Sequence, residues 1–181
     1  MGKHLKQVLS IVSIIFAIIL TCVAITTNHW FEMASPVKTI SDLPKSFVYF
    51  WKGLYKGCFH IPNVVPLQCK TLQDWKMDNH WVTAVRVLIY ISISSGILTI
   101  AVTLIMKVLL GRILSDIVSM LSFTSGAILM SALSIYTDQN PTHIKTFLLF
   151  GFSYICAWLS VSLYFFASLL TVLSRTPKSV M

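Results

Sequence analysis

The chain has 181 residues, of which 56% are hydrophobic and 11% charged, with a mean hydropathy of +0.79 and a formal net charge of +8. Soluble domains carry about 25% charged residues, so these figures exclude one and point to a membrane protein. Nucleic-acid binding needs basic residues gathered on one face; here they are scattered over loops and helix ends, the positions that mark membrane boundaries and orientation.

The first run, between Lys6 and Glu32, holds 25 residues without Asp, Glu, Lys or Arg. About 20 apolar residues cross a bilayer, which predicts helix one at about 7–27. A cleaved signal peptide is the rival, because Lys3 and Lys6 form a basic start and Cys22-Val-Ala24 resembles a cleavage site. The run is long for a signal, and a retained helix is the expectation.

Residues 28–83 form a polar loop with ten of the twenty charged residues and four of the six prolines. Pro36, Pro44, Pro62 and Pro66 break any long helix, since each removes a backbone donor and restricts its predecessor. Phe47-Val-Tyr-Phe-Trp51 has the composition of a strand. Ile61 to Pro66 reads as a turn region before a returning strand with Gln68-Cys69-Lys70. The loop suffices for a small sheet, not for an independent core.

Three further charge-free runs, of 20, 21 and 29 residues, lie between Arg86 and Lys107, Asp116 and Asp138, and Lys145 and Arg175. They predict helices at about 84–106, 113–137 and 146–174, because only internally hydrogen-bonded segments are stable in lipid. The expected fold is all-α transmembrane: a single tetraspan domain over 1–181, a four-helix bundle with a small antiparallel extracellular sheet in its first loop. Lys3, Lys6, Lys107, Arg112, Arg175 and Lys178 fall on one side of four spans, which the positive-inside rule makes cytoplasmic. Both termini then lie inside, and the 28–83 loop lies outside with the short Asp138–Lys145 loop.

Outside the cell, Cys58 and Cys69 are placed to close a hairpin-like loop as a disulfide. The rival use is a metal site with His60 and His80, which lacks a second cysteine pair for a four-ligand zinc centre. Cys22 and Cys156 fall within spans and read as small hydrophobes. Arg86, at the edge of a span, either snorkels to the interface or bonds loop or helix-one backbone. Asp116 suits the start of helix three. Ser92, Ser94, Ser95 and Gly96, with Ser122, Ser125, Gly126 and Ala127, suit close helix packing. No catalytic constellation, phosphate loop or metal motif is present, so no enzyme activity, cofactor or metal is expected. Asn140-Pro-Thr is blocked as a glycosylation acceptor by its proline.

Taken together, these residues resemble the four-helix superfamily of claudins, peripheral myelin protein, the epithelial membrane proteins and the lens fibre membrane intrinsic protein. Its loop signature is carried by Trp30, by Gly53-Leu54-Tyr55 with Tyr55 replacing the usual Trp, and by Cys58 and Cys69. Ala84-Val-Arg86-Val-Leu88 looks like the family's start of helix two. Ser125-Gly126 through Ser134-Ile-Tyr-Thr137, and Phe150-Gly-Phe-Ser-Tyr154 with Ala157-Trp158, look like the myelin and epithelial branch. With a short second loop and a short tail after Arg175, the resemblance is closer to the myelin, epithelial and lens branch than to true claudins.

The resemblance implies a left-handed bundle capped by a disulfide-pinned sheet, and a plasma-membrane protein that organises membrane or cell-cell contacts, including junctions. Its implied partners are the lipid bilayer, other integral membrane proteins and further copies of itself. An auxiliary subunit of a channel or receptor is the alternative function. A claudin-like paracellular pore, biased towards anions by Lys52, Lys56 and Lys70, is a third. Ser179-Val-Met181 fits a scaffold-binding carboxylate motif only weakly.

Overall fold

The computed structural model describes residues 3–36, 47–61, 65–74, 79–110, 115–139 and 147–174. Arg112, Arg175, Lys178, the Asn140-Pro141 loop and the C-terminal Ser179-Val-Met181 lie outside them. Four helices are long and apolar enough to cross a membrane: α1 (Lys3–Thr26), α2 (His80–Leu110), α3 (Ser115–Gln139) and α4 (Phe152–Leu173). At a rise of 1.5 Å per residue, the 22 residues of α4 run about 33 Å, enough for a hydrocarbon core of about 30 Å. Their outward faces are apolar, with Phe16, Ile97, Met120, Phe123 and Leu169 exposed.

Inside the bundle, serines and threonines are buried beside bulky side chains such as Ile14, Leu129, Leu133 and Tyr164. With lipid on every side there is no hydrophobic drive between helices, so close backbone approach and interhelical hydrogen bonds hold them together. Ser119 and Ser168 join α3 to α4 at 2.9 Å, and the Ser122 hydroxyl donates to the Tyr164 carbonyl. The Ser92 hydroxyl donates to the Ser125 carbonyl between α2 and α3. Ser10 on α1 donates to the Ala167 carbonyl of α4, while the Lys6 ammonium donates to the Leu173 carbonyl at the far end. The α1–α4, α2–α3 and α3–α4 seams are extensive and the α1–α2 seam is slight. Helix α1 is therefore a full member of the bundle.

Between α1 and α2, strands β1 (Phe31–Pro36), β2 (Phe47–Lys52), β3 (Lys56–Ile61) and β4 (Val65–Thr71) form an antiparallel meander at one end of the bundle. A fifth strand, β5 (Phe147–Phe150), adds to β1 and gives the order β4-β3-β2-β1-β5. Here the expectation of a helix from 146 is corrected, because α4 begins at Phe152. A continuous apolar run carries no signal separating buried strand from helix, and β1 offers 147–150 an unpaired edge. Gly151 makes the break: a Cβ there would collide with the His29 carbonyl. Charge-free runs also mark hydrocarbon rather than helix ends, and α2 continues four residues beyond the expected 84–106 at each end.

Candidate functional site

The site is the junction where the sheet is fastened to the bundle, and it starts at the end of α1. The last carbonyls of a helix have no internal partner. Thr27 takes one, its amide donating to the Val23 carbonyl at 3.1 Å. Trp30 takes another through its indole, Nε1 donating to the Ala24 carbonyl at 2.6 Å. The Trp30 ring is fully buried and packs on Tyr136 of α3 and Tyr154 of α4, with ring centroids 5.0 and 6.3 Å away.

The same short linker receives the start of α4. The Gly151 amide donates to the Trp30 carbonyl and the Ser153 amide to the His29 carbonyl, which satisfies donors that the first turn would leave open. The Ser153 hydroxyl meets Thr27 Oγ1 at 2.6 Å and accepts from the His29 amide. Tyr154 in turn reaches Thr137 of α3 at 2.7 Å. Residues 27–30 thus join α1, the sheet and α4 at one point.

The β2–β3 turn docks on α2. The Gly53 amide donates to the Lys56 carbonyl at 2.8 Å, and a Cβ on Gly53 would stand 2.5 Å from Asn28 Cα, so the turn touches the linker only because residue 53 is glycine. Leu54 is fully buried beneath the sheet. Its carbonyl accepts from both Nε, at 2.8 Å, and Nη2 of Arg86. The guanidinium also lies over the Tyr55 ring at 4.7 Å, and the Tyr55 hydroxyl meets Tyr90 at 2.6 Å. Burial pushes the Tyr55 phenol up to about 12; the Tyr90 bond adds to the rise and Arg86 opposes it. Lys52 places its ammonium 5.3 Å from the Trp81 ring.

Cys58 and Cys69 face each other across β3 and β4 and are bonded as a disulfide. Their sulfurs are thereby occupied, which removes the metal arrangement with His60 and His80. Cys22 and Cys156 are free thiols on α1 and α4.

A comparison with known families matches residues 4–171 to the PMP-22/EMP/MP20/Claudin family. The chain belongs to that family. The match spans the whole bundle and sheet without resolving a branch within the family. No curated protein matches the sequence. This membership carries with it a four-span architecture, a seat in the lipid bilayer and a disposition to meet other membrane proteins.

In this member of the family Trp30, Gly53, Leu54, Tyr55 and Arg86 come together in the junction, while the disulfide lies one rung up the sheet. Sequence reasoning missed Thr27, Ser153 and Tyr90. A polar residue just after one span and a serine just inside another are signals of capping in retrospect. Tyr90 carries no such signal, because a tyrosine near a helix end reads as interfacial belt.

Proposed function

We propose that this chain is a non-enzymatic plasma-membrane protein that organises lateral and cell-to-cell contacts through the outer part of its sheet. The observation that supports this reading is the exposure of two apolar side chains on the sheet, Tyr49 of β2 and Leu67 of β4, which are 45% and 57% exposed. Apolar side chains held on a disulfide-stapled sheet away from lipid fit a protein partner. The reading puts the sheet outside the cell and both termini in the cytoplasm, because the basic residues of the short segments share the opposite side. The two stretches that resemble the myelin and epithelial branch favour that branch; Thr137 and Tyr154, one from each, are hydrogen-bonded to each other.

The test is expression in non-adherent cells, with aggregation and co-immunoprecipitation as readouts and Tyr49→Ser/Leu67→Ser as the matched variant. Wild-type clustering that the variant loses is the expected result. Monomeric, non-clustering behaviour together with a stable channel or receptor found by proximity labelling overturns it in favour of an auxiliary subunit.

A further inference from the structure

On the outward side of the α3–α4 seam, towards the helix ends remote from the sheet, runs a groove of about 460 Å³ lined by Phe123, Phe165, Ser168, Leu169 and Val172. Close-packed interiors carry few voids, and this one has a cause in the sequence. Ser119 and Ser168 meet across the seam at 2.9 Å, so two short side chains close the floor where longer ones would fill the space above it. At one end the Phe165 ring lies against Phe123, with centroids 5.2 Å apart. Gly126 leaves that ring its place, since a Cβ there would stand 3.3 Å from Phe165 Cε1. Ser168 is buried, while Phe123, Leu169 and Val172 stand exposed around it as rims.

The depth of the groove follows from the helix rise. Ser168 stands about 8 Å before the end of α4 at Leu173, and Phe123 about 12 Å after the start of α3 at Ser115. Both places fall within the hydrocarbon of the leaflet remote from the sheet. The floor offers that surrounding no free proton, because Ser119 and Ser168 donate to each other's hydroxyl or carbonyl oxygens, the carbonyl contacts being 3.3 and 3.1 Å. A headgroup therefore gains nothing there. A helix does not fit either: close approach in lipid needs small residues along the contact, and a cylinder about 10–12 Å across would ride on Phe123, Leu169 and Val172 without reaching the floor. A single hydrocarbon chain is narrow and flexible enough to reach it.

We propose that this groove holds one phospholipid acyl chain of the leaflet remote from the sheet, laid over Ser168 along the α3–α4 seam and exchanging more slowly than the lipid around the other helix faces. Depth, the spent hydroxyl protons and the bulky rims together select this occupant. The proposal needs the four spans but not the contact-forming role of the sheet, and the purified protein tests it without a cell contact.

The full chain is reconstituted in phosphatidylcholine vesicles that contain a phosphatidylcholine with a photoactivatable acyl chain, and the crosslinked residues are mapped by mass spectrometry. Val8 of α1 and Leu104 of α2, 55% and 52% exposed at a similar depth, report the lipid around the other faces. Expected is labelling at Phe123 and residues 165–172 about fivefold above these two positions. Phe123→Ala removes one rim and Val172→Trp fills the other end of the groove; both side chains are exposed, so the bundle should melt as before while labelling falls to the level of Val8 and Leu104. A spin-labelled phosphatidylcholine should show a motionally restricted fraction that shrinks in both variants. Labelling in the groove no higher than at Val8 and Leu104, or enrichment that both variants retain, overturns the proposal. Crosslinks between two copies through Phe123 or Val172 in place of lipid overturn it in favour of self-association, and loss of the labelling on adding a sterol overturns it in favour of that lipid.

Discussion

Trp30 works at both ends of its side chain, the ring filling the space between α3 and α4 and the indole N–H closing the end of α1. Trp30→Ala should cost about 3–5 kcal/mol, the range for removing a buried large aromatic. Trp30→Phe should cost roughly 1–3 kcal/mol, mainly for leaving the Ala24 carbonyl unpaired. Thermal unfolding in detergent separates the two. Arg86→Lys keeps the charge but loses the fork that reaches the Leu54 carbonyl twice, and should speed amide exchange at residues 53–56 while leaving the helices protected. Tyr55 gives a pH signature. Its phenol ionises near 10.0 in an unfolded chain but at about 12 in the junction. A raised folded pKa stabilises fully below the unfolded value, so the contribution should persist to about pH 10 and vanish as pH rises towards 12. A phenolate absorbance titration of wild type against Tyr55→Phe reads this, and coincident curves would contradict the raised value.

At the scale of elements, the sheet depends on its staple more than on its size. Five short strands beside a bundle bury too little surface to stand alone, and the prolines at positions 36 and 66 limit the pairing of β1 and β4. The 58–69 bridge closes a loop for which the chain-entropy model gives on the order of 3 kcal/mol. Cys58→Ala should therefore unfold the sheet and hold the protein in the secretory pathway, with all four helices still inserted because span length drives insertion. Surface biotinylation with protease mapping checks both halves; normal delivery to the surface would contradict the dependence. Gly151→Ala should act at the same level from the other side, forcing the start of α4 away from the His29 carbonyl.

For the whole molecule, the helices converge on Tyr164, fully buried at the bundle centre. Gly96 of α2 and Gly126 of α3 leave room for it: a Cβ at residue 96 would lie 2.5 Å from its hydroxyl, and one at residue 126 would lie 3.1 Å from its Cβ. The hydroxyl bonds between neighbouring helices then form at the distances that these small residues permit. Gly96→Val overpacks this point and should destabilise the bundle by roughly 1–3 kcal/mol, seen as a lower melting temperature with the disulfide intact. The contrast with Cys58→Ala, which spares the bundle, distinguishes the two halves of the fold.

Composition and the spacing of charges alone determined that four segments cross the membrane, because the cost of charge and unpaired backbone in lipid is local and can be read one run at a time. The aromatic strand at Phe47–Trp51 and the cysteine pair were legible in the same way, from residue type and spacing. Other features required neighbours distant in sequence. Whether Arg86 snorkelled or bonded backbone was open until the Leu54 carbonyl was placed beside it. The strand character of Phe147–Phe150 comes from pairing with β1 more than a hundred residues earlier, since nothing local distinguishes four apolar residues from the helix that follows. The junction itself belongs to tertiary structure for the same reason: Trp30, Leu54, Arg86 and Ser153 act by satisfying backbone groups that other segments leave open, and that demand exists only once the segments meet.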